Sequence, residues 1–233
     1  ISSSTLLFAL LGGIIPAVLW LLFWLREDKL HPEPRGLIVL AFLAGMISVA
    51  FVIPIELGLK TFFSGTALVA LWATTEEFLK FCFAYFFVLR NKAVNEPIDV
   101  VIYMITVALG FAAFENALFL LSPLSDGFVI KSIITGNMRF VGATLIHTLS
   151  SATIGVTLAF SFYKTKISRE FALFAGLILA SILHTLFNFF ILKGNGNDGL
   201  LKTFLVVIKY FRGGLSPICF GRRAMILFLT RWR

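Results

Sequence analysis

Charge is scarce in this chain: Asp, Glu, Lys and Arg make up 14% of its 233 residues. A water-soluble globule needs more polar surface than that, so a soluble enzyme or carrier is excluded. Cysteine is nearly absent. Cys82 sits in an apolar run and Cys219 lies far off near the C-terminus, which argues against a disulfide framework, a cysteine metal site and a redox role. The His-Glu-x-x-His motif of common zinc proteases is missing, and no Ser stands at a nucleophile elbow. Internal repeats and low-complexity tracts are missing too. Basic residues outnumber acidic ones, 20 against 12, for a formal charge of +8, yet they are dispersed in short connections and near the end of the chain. Membrane topology accounts for that excess, and a nucleic-acid partner is not expected.

What is abundant is apolar: 59% of residues are hydrophobic, 27 of them Phe, and the mean hydropathy is +0.96. The fold class expected is all-α, a polytopic bundle of transmembrane helices with the lipid bilayer as its solvent. Runs long enough to span read as Thr5–Leu25, Gly36–Leu59, Thr66–Leu89, Ile98–Leu121, Phe140–Tyr163 and Phe171–Leu192. Backbone groups in lipid must bond internally, and the short alternating strands of a barrel are lacking, so the six runs are expected as helices. Residues 1–192 form the expected core. The segment 193–233 reads either as an extra span or as an interfacial helix: Leu200–Phe211 is short, and Leu215–Thr230 is broken by Pro217, Arg222 and Arg223. The chain starts at Ile1 rather than Met, which suggests a processed or trimmed product. Its first apolar run is too long, and too poor in preceding basic residues, for a cleavable signal peptide.

Orientation follows the basic residues. Arg26, Lys29, Arg35, Arg90, Lys92, Lys164, Lys166 and Arg169 fall in the odd connections, against Lys60, Lys131, Arg139, Lys193 and Lys202 in the even ones. The odd connections are therefore expected in the cytoplasm and the N-terminus outside. The connection from Ser122 to Asn137, with Pro123, Gly127 and Gly136, is expected as a short surface helix or lid.

Against this background the charged residues inside the spans stand out. Each costs roughly 2.5–3.5 kcal/mol at the centre of a bilayer on insertion scales, so such groups face inward and are commonly functional. Glu76, Glu77 and Lys80 fall within an arc of about 100° on one helix. Glu115 and Asn116 lie near the middle of the fourth run, where the carboxylate requires a partner from another helix. His147 has Thr144, Ser150 and Ser151 on its face, and His184 shares a face with Ser181 and Asn188. Glu56, with Lys60 and Ser64 soon after it, reads instead as lying near the membrane surface. Singly, each group has a plain role in helix packing, where hydroxyl and small residues line interfaces. Four spans each contributing such groups away from their ends imply a shared polar centre.

Two hydrolytic chemistries suit that centre. Two imidazoles with one or two carboxylates match a divalent metal, zinc above others, with a remaining Glu as base for the bound water. Alternatively a Glu activates water without a metal, while His and Asn stabilise the oxyanion. Lys80 would hold one of the two neighbouring carboxylates ionised. A proton- or cation-coupled transporter using the same Glu, His and Lys cluster is the competing class, although it would favour repeated halves. A scaffold using these groups for helix association is a third.

The ordered set Glu76-Glu77-x-x-Lys80, Phe111-x-x-x-Glu115-Asn116, His147 with Gly155 beyond it, and His184-x-x-x-Asn188 resembles the motifs of PrsW-type intramembrane proteases. Pro32-Glu33-Pro34 is similar to that family's Glu-Pro-Glu-Pro lead-in, with His31 where an acid is expected. The match runs from about Asp28 to Asn188. What the resemblance implies is a multi-pass protease of the bacterial plasma membrane, related to the CAAX-processing and bacteriocin-processing group. Its type member initiates regulated proteolysis of a membrane-anchored anti-sigma factor in a stress response, cutting on the external side. The substrate implied is a single-span membrane protein. Glu76 and Glu77 are implied as catalytic acids, with Lys80, Glu115, Asn116, His147, His184 and Asn188 in the catalytic set; Asn188 is implied as an oxyanion group. The metal set implied is Glu77, Glu115, His147 and His184, with the metal-free route left open.

Overall fold

The computed structural model describes residues 2–25, 32–127 and 142–193. Six helices account for nearly all of these: α1 (Ser3–Trp24), α2 (Arg35–Phe62), α3 (Gly65–Ala84, continued by a π turn at Tyr85–Leu89), α4 (Pro97–Ser125), α5 (Thr144–Phe160) and α6 (Lys166–Lys193). Each falls on one of the six apolar runs, and the chain is a helical membrane bundle. Four of them, α1, α2, α4 and α6, are long and apolar enough to cross a bilayer on length and composition alone. α3 carries Glu76, Glu77 and Lys80 within its 20 residues, and α5 has 17 residues, which sets these two apart physically. Residues 26–31 with His31, the connection from residue 128 to 141, and everything after Lys193 lie outside the described residues. Ser122–Ser125, expected in the fourth connection, instead extends α4.

α4 is the axis of the bundle. From Asp99 to Ala113 every side chain is buried, because α1, α2 and α5 all pack against it. α6 packs on α5 and α3, and α3 packs on α2. Lipid tails are as apolar as the helices, so close packing and polar contacts rather than water exclusion hold such an assembly. α2 and α4 cross where Gly45 faces the Val107 carbonyl and Gly110 faces the Phe42 carbonyl; a Cβ at either glycine would collide with the opposite backbone. A third approach brings Gly155 of α5 onto α4, where a Cβ would lie 2.8 Å from Val101 Cα. The outward faces are greasy: Leu7, Phe8, Leu19, Val39, Ile47, Phe171, Phe174 and Ile182 are exposed.

Local chemistry fixes the ends. Ser2 Oγ accepts the Thr5 N–H at 3.1 Å and caps α1. At the start of α4, Pro97 occupies the first turn, where its missing N–H costs nothing. Asp99 Oδ2 accepts the N–H groups of Asn95 and Glu96 at 2.9 and 2.8 Å. The Tyr103 hydroxyl donates to Glu33 in the Pro-Glu-Pro segment, tying the start of α2 to α4.

Candidate active site

The buried acids of α3 meet the two histidines of α5 and α6. Glu76, Glu77, Lys80, His147 and His184 are all buried, and Glu77 and Lys80 are fully shielded. Glu77 sits deepest. Its Oε1 accepts from Lys80 Nζ at 2.8 Å and pairs with His184 Nδ1 at 2.9 Å, while its Oε2 accepts the Ser151 hydroxyl at 2.6 Å. Three donors from three helices thus meet one buried carboxylate, the kind of pairing that offsets the cost of burying such a group.

His147 is held at both ring nitrogens. Lys80 Nζ lies 2.8 Å from its Nδ1, and Glu115 Oε2 from α4 lies 2.9 Å from its Nε2. An ammonium group can only donate, so Nδ1 accepts and the proton resides on Nε2, donated to Glu115. By the same reasoning His184 donates from Nδ1 to Glu77, leaving the Nε2 lone pair turned toward Glu76, whose Oε2 is 3.8 Å away. Glu76 Oε2 also lies 3.5 Å from His147 Nδ1 and 3.5 Å from Lys80 Nζ. The two imidazoles stand edge to face with centroids 4.9 Å apart.

A cavity of about 460 Å³ opens over this cluster. Glu56, Glu76, Glu115, His147, His184 and Asn188 line it, with Trp72, Phe119 and Phe187 among its apolar walls. Glu56 is the acid that sequence reasoning put near the membrane surface. In the fold it lines the cavity from α2, and Trp72 Nε1 of α3 donates to its backbone carbonyl at 3.2 Å. Its position 20 residues ahead of Glu76, inside an apolar run, was the available signal. Asn116 goes elsewhere: its amide donates to Thr144 Oγ1 at 3.0 Å, joining α4 to α5. Two further contributors are noted in sequence without a site role: Ser151, on the His147 face, donates to Glu77, and the Phe111 ring at the head of its motif has its centroid 4.1 Å from Lys80 Nζ.

The donor set fits a divalent metal. One ligand atom each from Glu76, His147 and His184 lie within 4.8 Å of one another. Ligand bonds of 2.0–2.1 Å in a tetrahedral zinc site put neighbouring donor atoms about 3.3–3.4 Å apart. The separations of 3.5 and 3.8 Å from Glu76 Oε2 to His147 Nδ1 and His184 Nε2 are close to that edge. Both histidines have the remaining ring nitrogen held by a carboxylate, Glu115 for His147 and Glu77 for His184, an arrangement typical of metal-ligating imidazoles. The grouping differs from the expected metal set, which had Glu77 and Glu115 among the ligands and Glu76 outside.

A family model described as "PrsW family intramembrane metalloprotease" matches residues 33–212. The chain belongs to the PrsW family. It is similar to Protease PrsW of Geobacillus kaustophilus, 29% identical over 194 residues that cover 80% of this chain and 81% of the relative. Protease PrsW of Halalkalibacterium halodurans is 27% identical over 190 residues, covering 78% and 83%, and that of Bacillus subtilis is 23% identical over 214 residues, covering 88% and 93%. No solved structure matches. As a PrsW-family member this protein is a membrane protease, and the competing transporter reading is not favoured.

Proposed function

We propose that this PrsW-family protease cleaves a single-span membrane protein, an anti-sigma factor in bacterial regulated proteolysis, with a zinc ion held by Glu76, His147 and His184. The observation that carries the reading is the convergence of those three side chains under one cavity, each imidazole braced by a carboxylate. A divalent ion there supplies Lewis acidity and lowers the pKa of a bound water.

The chain's own groups do the rest. Glu77 and Glu115 fix the tautomers of His184 and His147, which leaves His184 Nε2 and His147 Nδ1 as the lone-pair nitrogens beside Glu76. Glu56 lines the cavity without holding either histidine and is the carboxylate suited to take a proton from the attacking water. Asn188, one helical turn beyond His184, can donate its amide to the oxygen of the peptide carbonyl as negative charge develops there. The apolar walls from Trp72, Phe119 and Phe187 receive substrate side chains and exclude bulk water. Basic connections at the ends of α1, α3 and α5 support a plasma-membrane orientation with the N-terminus outside. Residues 1–192 serve as the catalytic core, and 193–233 as an accessory segment.

The test pairs metal analysis of purified protein with cleavage of a single-span reporter. Bound zinc, loss of cleavage on chelation, recovery on zinc addition, and loss of both zinc and cleavage in Glu76→Gln are expected. Undiminished cleavage by metal-free protein would overturn the metal assignment, and undiminished cleavage by Glu76→Gln would overturn the site.

A further inference from the structure

Lys80 is fully buried, 0% exposed, on a helix that packs against α2, α4, α5 and α6. Its Nζ is 2.8 Å from Glu77 Oε1, 2.8 Å from His147 Nδ1 and 3.5 Å from Glu76 Oε2. Two of these three atoms, His147 Nδ1 and Glu76 Oε2, are the ones whose separation fits neighbouring ligands of a tetrahedral metal. A nitrogen that accepts an ammonium proton has no lone pair left for a metal, and ligand atoms must be bare when they bind. The ammonium and a divalent ion therefore compete for one lone pair. Electrostatically they serve the same end, since either one places positive charge among Glu76, Glu77 and Glu115, where uncompensated carboxylates are costly. On giving up His147, the ammonium would retain Glu77 and the Phe111 ring face, 4.1 Å from Nζ.

We propose that Lys80 is the resident cation of the metal-free site: it holds the carboxylates and His147 in place before a divalent ion arrives, and must release His147 Nδ1 for that ion to bind. The proposal rests on the ligand set assigned above. It makes Lys80 a positioning residue that acts through His147 and Glu76. Two opposed consequences follow for its removal: the metal-free protein loses its internal counter-charge, and the metal gains a lone pair it no longer has to win.

The experiment compares wild type, Lys80→Met and Lys80→Arg in detergent, reading zinc affinity by competition against a chromophoric chelator and thermal midpoints with and without zinc. Lys80→Met is expected to bind zinc at least tenfold more tightly than wild type, with a wider gap between its metal-free and zinc-loaded midpoints. Lys80→Arg, which keeps the positive charge, is expected to stay nearer wild type. Recovery of Lys80→Met from cells only when zinc is supplied supports the proposal, because the ion then substitutes for the missing ammonium. Unchanged or weaker affinity in Lys80→Met overturns it, as does failure to recover that variant even with zinc, or an arginine variant as tight as the methionine one. Glu76→Gln separates this from the ligand assignment. If that variant loses zinc while Lys80→Met shows no gain, the lysine inference fails alone; if it binds zinc like wild type, the ligand set itself fails.

Discussion

Replacing Glu77 with Gln tests whether one carboxylate ties α3, α5 and α6 together. The side chain is fully buried and takes hydrogen bonds from Lys80, His184 and Ser151 at 2.8, 2.9 and 2.6 Å. Glutamine keeps one acceptor oxygen and adds two donors, so at least one of those partners meets an N–H instead of an oxygen. Lys80 also loses its nearest negative charge. Breaking a buried ion pair from one side costs about 3–5 kcal/mol, a large share of the roughly 5–15 kcal/mol that holds a typical domain folded. Ser151→Ala removes one hydrogen bond to a charged acceptor and is expected to cost about 1.5–3 kcal/mol. Because both changes act on the same carboxylate, the double variant is expected to fall short of the sum, with a coupling of about 0.5–3 kcal/mol. Equilibrium unfolding of purified protein in detergent measures all four corners of the cycle. Glu170→Gln is the control, since its carboxylate is 63% exposed and 3.8 Å from Lys166, a pairing that screening by water makes weak. A Glu77→Gln variant within about 0.5 kcal/mol of wild type, or strict additivity with Ser151→Ala, would refute the view that this carboxylate is a structural keystone.

Three other perturbations separate packing from chemistry. Gly45→Val should destabilise the bundle by about 1–3 kcal/mol or more, as overpacking does, because its Cβ meets the Val107 carbonyl; Gly58→Ala, with nothing within 4 Å, should not. Reporter cleavage at matched protein levels, with unfolding curves, checks both. Glu56→Gln is expected to lower kcat by about 10²–10⁴ while metal content stays unchanged, the range for losing a general base; loss of zinc instead would make it a ligand. Asn116→Ala should weaken the α4–α5 contact to Thr144 by about 0.5–1.5 kcal/mol, with residual cleavage tracking the folded fraction; cleavage abolished in fully folded protein would instead give Asn116 a catalytic role.

The helices were legible because lipid imposes a crude rule, apolar or nothing, for some twenty residues at a time. Glu76, His147 and His184 broke that rule conspicuously and could be read as one centre. Their division of labour could not. Glu76 and Glu77 are neighbours in sequence, yet a turn of about 100° sends one into the cavity and the other between α5 and α6. Which of them meets a histidine depends on where those helices sit, and no local pattern encodes that. Asn116 had the right company in sequence; in the fold its amide donates to Thr144, and it is not among the residues lining the cavity. Glu56 was discounted because Lys60 and Ser64 follow it; the cavity extends along α2 far enough to include it.

Each imidazole in the cluster is gripped by an acid from a different helix: α3 holds the histidine of α6, and α4 holds that of α5. Membrane helices are inserted first and associate side by side afterwards. On the proposed ligand set, a nascent chain lacking α6 therefore owns no complete triad, and one lacking α5 as well has no braced ring, so assembly of these two helices would arm the protease. Biogenesis would thus carry its own safeguard, since an unfinished copy would have nothing with which to cut its neighbours.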